Sequence, residues 1–476
     1  MQAILNFLPY VGYIVLALMI LVFIHELGHF LAALLFKMRV DKFSIGFPPK
    51  IVGKTIGETE YVIGATPLGG YVKIAGMVDE SLDTDGLESE PQPWEFRAKP
   101  VWQRIIVIVA GVVFNMLLAW GIFAALAYTN GDAFVPADKV TGVYVMEGST
   151  ADKMGIQTGD RIVQVGQQTL VKYDELERLL LLADPLTVTV ERKDSTGAAQ
   201  TVTLTGPADI ITQMNRSQGD FGLSIEPPLI GNVAERSPAD SAGLQPGDRI
   251  VAVDSAAVHY WMELGQNVQA AHGAPVTVRI ARADTAAADT AKLTLVSDTL
   301  GVKTYDATVT PRFEAADSTY KLGVGSPTGE QLIAEFGVQR TRYSLSQAIG
   351  KGWAQTGTAT KLIVTSLTRV FSGRDAAREN LGGMFQVAKQ TREAARAGWG
   401  AFWGIVAMLS VTLAVMNILP IPALDGGHLM FLIYEGVMRR KPSLKVQTVM
   451  QYAGMAILLV LMAFLLINDA VRMFGG

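Results

Sequence analysis

The chain has 476 residues, half of them hydrophobic, and a formal net charge of −4. Its positive mean hydropathy of +0.29 indicates a membrane protein with a sizeable soluble part. No basic run argues for nucleic acid as a partner, and the lack of cysteine excludes disulfides and cysteine-bound metals.

The first predicted element is an apolar helix over residues 9–36, which contains an unusual cluster of polar side chains. Apart from two tyrosines, its ionisable residues are His25, Glu26 and His29. A charge at membrane depth costs about 2–3 kcal/mol or more, so the cluster needs a compensating partner. Positions i and i+4 share a helix face, so both imidazoles can bind one divalent metal, with Glu26 placed to accept a proton from water. The alternative is a chance match, or a histidine pair bonded to a neighbouring helix.

Four stretches are long and apolar enough to cross a bilayer, which takes about 20 residues. They are residues 9–36, 101–128, 401–438 and 449–467. No lysine or arginine precedes the first stretch, so we expect a retained span rather than a cleaved signal peptide. Basic residues crowd the connection after the third stretch, which predicts that residues 37–100 and 439–448 face the cytoplasm. Both termini and residues 129–398 are then extracytoplasmic.

The extracytoplasmic segment contains an internal repeat. Residues 149–163 match residues 237–251, and each copy predicts a short helix, a glycine turn and a strand. Further strands are predicted over residues 186–190, 201–205 and 276–280. The repeat therefore predicts two small α+β domains, over residues 137–218 and 219–312.

Residues 326–398 are predicted to be membrane-proximal, with helices over residues 343–371 and 376–397. Apolar residues in these helices are spaced among polar ones, as in a helix with one buried face. The pattern leaves two positions open for them, on the membrane surface or against the second repeat.

The third span, over residues 399–438, is predicted to be broken, because Pro420 and Pro422 remove backbone donors. Asp425 follows the break and is the only acidic residue between Gly398 and Glu435. A catalytic metal site needs three protein ligands and one open position, so Asp425 is the expected third ligand. Its alternative role is to cap the second half-helix.

Three further polar residues in the spans are candidates for the same site. His428 is expected to support the site rather than bind the metal, because two histidines and one carboxylate complete the set. Asn115 and Asn417 can hydrogen-bond an oxyanion or a substrate carbonyl, and their alternative role is to join helices.

Two motifs together resemble the site-2 protease family of intramembrane metalloproteases, of the bacterial regulator-of-sigma-E type. They are His-Glu-x-x-His at residues 25–29 and Asn-x-x-Pro-x-Pro-x-Leu-Asp-Gly at residues 417–426. The resemblance extends over nearly the whole chain, since the two repeats between the motifs also fit.

The resemblance implies one zinc ion per chain. The expected zinc ligands are His25, His29 and Asp425, with Glu26 as the catalytic acid and base and Asn417 as a substrate-positioning residue. Residues 43–47 and 58–74 resemble the family's membrane-associated β-hairpin, whose edge strand is expected to pair with an unwound substrate.

The two repeats resemble PDZ domains. Such domains capture a peptide at a strand edge and at a loop of the form hydrophobic-Gly-hydrophobic. Phe221, Gly222 and Leu223 are the candidate loop, which we assign to the second repeat. The alternative is that these modules block access sterically and bind no peptide.

The predicted fold is therefore a multi-pass α-helical membrane protein with four transmembrane helices, a membrane-associated β-hairpin and two extracytoplasmic PDZ-like α+β domains. The predicted function is regulated cleavage of single-span membrane proteins by a zinc metalloendopeptidase, with anti-sigma factors and signal-peptide remnants as substrates. We expect a monomer in contact with lipid in a bacterial inner membrane, with the PDZ-like domains in the periplasm. The rival functions are a catalytically silent peptide-binding scaffold, against which Glu26 argues, and a metal transporter, for which no inverted symmetry is visible.

Overall fold

The structure is a computed structural model, and it describes residues 2–77, 90–194, 196–217, 220–283, 292–299, 302–315, 317–380 and 382–474. The chain forms two compact units. The first combines Met1–Asp132 with Thr341–Gly476, and the second is Ala133–Arg340.

The first unit begins with two long helices and two long strands between them. These are α1 (Gln2–Leu35), β1 (Val40–Ile56), β2 (Thr59–Ile74) and α2 (Val101–Asn130). Pro100 precedes α2, where a missing backbone N–H costs nothing, and Gly131 ends it with a φ of 67°.

The second unit and the residues at its boundaries form short strands and helices. In chain order they are β3 (Asp132–Phe134), β4 (Tyr144–Val145), α3 (Thr150–Lys153), β5 (Arg161–Val165), β6 (Gln168–Thr169), α4 (Leu176–Leu182), β7 (Thr187–Lys193), β8 (Ala199–Thr205), α5 (Ile210–Arg216), β9 (Leu223–Ser224), β10 (Asn232–Val233), α6 (Pro238–Ser241), β11 (Arg249–Val253), β12 (Ala256–Ala257), α7 (Trp261–Ala270), β13 (Val276–Ala283), β14 (Thr294–Thr299), β15 (Val302–Val309), β16 (Arg312–Glu314), β17 (Thr319–Lys321), β18 (Val324–Gly325), α8 (Gly329–Phe336) and β19 (Gln339–Thr341).

The chain then returns to the first unit with helices only. They are α9 (Leu345–Phe371), α10 (Ala377–Asn380), α11 (Met384–Ala397), α12 (Trp399–Ile418), α13 (Asp425–Met438) and α14 (Leu444–Phe474).

Four helices of the described residues are long and apolar enough to cross a membrane, as the sequence predicts. Their apolar stretches are Gly12–Leu35, Val101–Asn130, Trp399–Ile418 and Leu444–Val471. The predicted break in the third span is also present, since α12 ends at Ile418 and a new helix starts at Asp425. Pro420 and Pro422 lie in the irregular segment between them, where neither proline has to donate a helical hydrogen bond.

The two long strands form a sheet in which β1 is paired on both sides. Residues 42–45 of β1 pair with residues 70–73 of β2 on one side and with residues 60–63 on the other. The outer part of β1, residues 50–56, pairs with residues 59–64. Residues 70–74 therefore lie at one edge of this sheet, and residues 40–45 are their only strand partner in the described part of the chain.

Helix α9 packs inside the first unit against α2 and α12. The sequence had offered the membrane surface or the second repeat as its position, and neither includes these two helices. Ala359 of α9 lies in one apolar cluster with Ala119 of α2 and Val411 of α12. The indole N–H of Trp120 on α2 donates to the carbonyl of Ile349 over 3.0 Å. Neither contact is visible as a pattern in the local sequence of α9.

The second unit contains the predicted tandem repeat as two antiparallel sheets. Their strand orders are β6-β5-β7-β8 and β12-β11-β13-β15-β14. The predicted strands of residues 186–190, 201–205 and 276–280 fall largely on β7, β8 and β13. Each repeat starts its short helix with a serine cap, because Ser149 accepts from the N–H of Asp152 and Ser237 from that of Asp240.

Phe221, Gly222 and Leu223 belong to the first repeat, and our assignment of this segment to the second repeat is wrong. The carbonyl of Phe221 accepts from the N–H of Ala151, and that of Gly222 accepts from Met146. Strand β9 pairs with β4 at Val145↔Leu223, so the strand that completes the first repeat comes last in its sequence.

The corresponding segment of the second repeat is residues 322–324. The carbonyls of Leu322 and Gly323 accept from Ala239 and Ala234, and Val324 pairs with Val233. The repeat boundary at residue 218 therefore cuts through the first module before its final strand.

Each repeat contains a buried aspartate–arginine pair that the sequence did not reveal. In the second repeat both carboxylate oxygens of Asp248 accept from Arg282, over 2.6 and 2.7 Å. In the first repeat Asp160 and Arg192 form the same bidentate contact, over 2.7 and 2.8 Å. The Arg192 side chain is 25% exposed and that of Arg282 only 7%, so the second pair is the more deeply buried.

Asp248→Asn is expected to lower the free energy of unfolding of the second repeat by about 3–5 kcal/mol, because it leaves a buried guanidinium without its charge partner. Asp160→Asn should cost less, since water reaches Arg192. Thermal unfolding and limited proteolysis of the full chain measure both variants. Equal losses in the two variants, or a loss below about 1 kcal/mol for Asp248→Asn, would contradict this explanation.

Candidate metal centre

Helix α1 places two imidazoles side by side inside the first unit. His25 and His29 are both buried, and their Nε2 atoms are 3.2 Å apart. The rings meet edge to face, with centroids 4.8 Å apart. The i, i+4 spacing therefore brings the two nitrogens together as the sequence predicts.

Asp425 joins these histidines from the far end of the chain. Its Oδ2 lies 3.2 Å from Nε2 of His25 and 3.4 Å from Nε2 of His29. Asp425 is the first residue of α13, and Leu424 before it is the N-cap, without a side-chain capping bond. The side chain thus points at the histidines and does not serve as the alternative cap.

The three atoms fit a single metal ion. A tetrahedral zinc with bonds of about 2.0–2.1 Å holds its ligands roughly 3.3 Å apart, and the three separations are 3.2, 3.2 and 3.4 Å. Oδ2 of Asp425 is buried and forms no hydrogen bond of regular geometry among the described residues. An orphaned anionic oxygen beside two ring nitrogens is expensive unless a cation lies between them.

The break between α12 and α13 positions Asp425 through close backbone contacts. A Cβ on Gly426 would overlap the carbonyl oxygen of Leu419, so only glycine allows the chain to fold back here. Ala423 adopts a φ of 74°, a left-handed backbone conformation that residues other than glycine rarely adopt. Such local strain is typical of functional sites.

Glu26 lines the same small cavity as the three candidate ligands. The cavity has a volume of about 60 Å³, enough for water. Its wall also contains Asn417 and His428, and Tyr71 and Val72 from the edge of the sheet. A carboxylate, a candidate metal site and a strand edge therefore meet at one place.

Residues of α2 contact the Nδ1 atoms of both imidazoles. Nδ1 of His29 lies 2.8 Å from the carbonyl oxygen of Val107, and Nδ1 of His25 lies 3.2 Å from the amide of Asn115. Asn115 is fully buried and is absent from the cavity wall. Of the two predicted substrate-positioning residues, Asn417 lines the cavity, and its Nδ2 is 3.1 Å from Nε2 of His25. Asn115 does not line the cavity and contacts the other ring nitrogen of His25.

Gly111 is a residue of this site that the sequence did not single out. A Cβ there would overlap Nε2 of His29 and lie 2.7 Å from Cε1 of His25. Gly28 has the matching role on α1, because its Cβ would lie 2.5 Å from the carbonyl oxygen of Ala110. The two glycines let the helices approach closely enough for α2 to touch both imidazoles.

Three candidate metal ligands with a carboxylate beside them, among helices apolar enough to span a membrane, are typical of a membrane-embedded metal-dependent hydrolase. Comparison with known proteins identifies the family within this class of hydrolases. The model of the peptidase family M50 matches residues 13–461, and the chain belongs to this family.

Relatives of this chain align along almost their whole length. A Vibrio cholerae protein provisionally named zinc metalloprotease is 31% identical over 483 residues, which cover 98% of this chain and 99% of the relative. The Regulator of sigma E protease of Haemophilus influenzae is 29% identical over 485 residues, or 98% and 100% of the two chains. A Neisseria meningitidis protein, also provisionally named zinc metalloprotease, is 28% identical over 470 residues, which cover 97% of this chain and 98% of the relative.

Proposed function

We propose that the chain is a site-2-type intramembrane zinc metalloprotease in which His25, His29 and Asp425 hold one zinc ion. The observation that carries the assignment is the triangle of three ligand atoms, 3.2–3.4 Å apart, on the cavity that Glu26 also lines. Membership of peptidase family M50 and the zinc metalloprotease names of relatives support it.

Zinc bound there supplies Lewis acidity toward a peptide carbonyl and lowers the pKa of a coordinated water. Glu26 is the general base, which takes a proton from the attacking water and returns it to the leaving amine nitrogen. Asn417, at the cavity wall, donates its amide N–H to the substrate carbonyl. His428 lines the cavity and supports these groups without binding the metal.

The substrate is a membrane-spanning segment of a single-span protein. A helical segment hides its carbonyls in internal hydrogen bonds, so it must unwind before hydrolysis. Residues 70–74 form a sheet edge, and Tyr71 and Val72 of this edge line the cavity. An unwound substrate can add to this edge as a further strand, which places its backbone at the metal centre.

Anti-sigma factors and signal-peptide remnants are the proposed physiological substrates, and the name of the Haemophilus relative supports the first class. The protein crosses the bacterial inner membrane as a monomer with one zinc, and its two PDZ-like modules lie in the periplasm. The segments Phe221–Gly222–Leu223 and Leu322–Gly323–Val324 are their peptide-binding loops.

Asp425→Ala is expected to reduce bound zinc from one ion per chain to near zero, because two imidazoles alone give an incomplete ligand set. Metal analysis of the protein purified in detergent measures this directly. Asp41→Ala, which changes a partly exposed aspartate of β1, is the matched control and should keep its zinc.

The same preparations test the reaction. A chelator should abolish cleavage of a tagged single-span protein by the wild type, and added zinc should restore it. Full zinc in Asp425→Ala would remove Asp425 from the ligand set. A wild-type protein that binds zinc and peptide but cleaves no substrate would favour the scaffold alternative.

A further inference from the structure

One face of helix α2 lies against both candidate histidine ligands. Val107, Gly111 and Asn115 follow each other at intervals of four residues and so share this face. The first contacts Nδ1 of His29, the second lies against both rings, and the third contacts Nδ1 of His25. Helix α2 therefore contacts the Nδ1 atom of each imidazole, the ring nitrogen that is not proposed to bind the metal.

The contact between Val107 and His29 defines how that imidazole carries its proton. A backbone carbonyl only accepts, so Nδ1 of His29 must be the protonated nitrogen over the 2.8 Å separation. In the neutral imidazole Nε2 is then the unprotonated nitrogen and can bind a metal. The ring is thus prepared for its ligand role by a group that never touches the metal.

Proton counting gives the same result for His25, with a side chain as the partner. The amide nitrogens of Asn115 and Asn417 lie 3.2 and 3.1 Å from its two ring nitrogens. A neutral imidazole accepts at one nitrogen only, so at least one amide must present its oxygen. Nε2 lies beside Asp425 and His29 at the proposed metal site, and with the metal bound there Nδ1 is the protonated atom and Asn115 its acceptor.

Asn115 can present its amide oxygen to His25. Its Oδ1 is buried without a hydrogen-bond partner among the described residues, and a half-turn of the amide exchanges this oxygen with the nitrogen at His25. The hydroxyl of Ser410 on α12 donates to the backbone carbonyl of Asn115 over 2.8 Å. This hydrogen bond joins the backbone of Asn115 to α12 and so helps to fix its position beside the His25 ring.

We infer that Asn115 is a positioning residue that holds His25 in the Nδ1-protonated form by accepting its N–H, so that Nε2 is available to the metal. The inference rests on the proposed zinc site and goes beyond it. It replaces the expectation that Asn115 contacts substrate. The predicted effect is on metal affinity, and partners of this kind typically change it by about 10–100-fold.

The test compares variants of similar size that differ in acceptor capacity. Asn115→Asp keeps an acceptor oxygen and Asn115→Leu removes it, and Asn115→Ser and Asn115→Ala form a second, smaller pair. The zinc dissociation constant of each full-length protein is measured in detergent by competition with a chelator, and the unfolding midpoint is measured without metal. Asn115→Asp should bind zinc within about threefold of wild type, and Asn115→Leu about 10–100-fold more weakly. Asn115→Ser should likewise bind more tightly than Asn115→Ala.

A helix-joining role predicts the opposite order, because leucine suits an apolar helix contact better than a buried carboxylate. Equal zinc affinity in Asn115→Leu and Asn115→Asp, or tighter binding by Asn115→Leu, overturns the inference. If one pair fails to fold, the order within the other pair decides. If wild type and His29→Ala bind zinc equally, the proposed function fails, and that result is distinct from a failure at Asn115.

Discussion

Replacing Glu26 by glutamine is expected to lower the rate of peptide-bond cleavage by about 10²–10⁴-fold while bound zinc stays at the wild-type level. Glutamine has nearly the size of glutamate but cannot accept the proton of the attacking water. Glu26 lines the cavity with the three ligands, so its loss should affect proton transfer and leave the ligand triangle intact. Cleavage of a tagged single-span substrate in liposomes and zinc analysis of the same protein are the two measurements.

Glu58→Gln is the matched control, because Glu58 is exposed in the turn between β1 and β2. Its cleavage rate should equal that of the wild type. Wild-type cleavage by Glu26→Gln would remove Glu26 from the mechanism. Loss of zinc in Glu26→Gln would make Glu26 part of the metal site and not its base.

Gly111→Ala is expected to reduce activity at least 100-fold although it adds only one methyl group. That methyl group would overlap Nε2 of His29 and press on the ring of His25, so both rings must shift from their places beside Asp425. A displacement of about 1 Å in a catalytic arrangement costs on the order of 10²-fold in rate. Zinc affinity should fall together with activity, since the displaced atoms are the ligands themselves.

Gly121→Ala is the control for Gly111→Ala, because it lies on the same helix and its Cβ would meet no atom within 4 Å. It should keep both zinc and activity, and alanine favours a helix over glycine by about 1 kcal/mol. A Gly111→Ala protein with full zinc and full activity would show that α2 can move away from the imidazoles without cost.

Much of the candidate site was predictable because its signals are local or unusual in composition. Histidines four residues apart must share a helix face, and two prolines one residue apart must interrupt a helix. Asp425 was identifiable since it is the lone acidic residue of an apolar stretch. Covalent geometry and the cost of burying charge are enough to predict each of these features.

The remaining features depend on partners distant in sequence. Asn115 and Gly111 contact the histidines of α1 because α2 packs against that side of α1. Helical periodicity does not predict which side of α1 the helix α2 will contact. Phe221 was assigned to the wrong repeat because a strand that closes a module can come from either end of its sequence. The arginines that pair with Asp160 and Asp248 lie on later strands, so no local spacing marks them.

The first unit is assembled from both ends of a chain that leaves it for residues 133–340. Asn417 meets His25 across 392 residues of sequence, and Asp425 lies further on. During synthesis the two histidines are therefore made and inserted long before their third ligand exists. A ribosome that stops anywhere before Asp425 releases a product without a complete metal site, so proteolytic capacity arises only after the intervening domain has been translated.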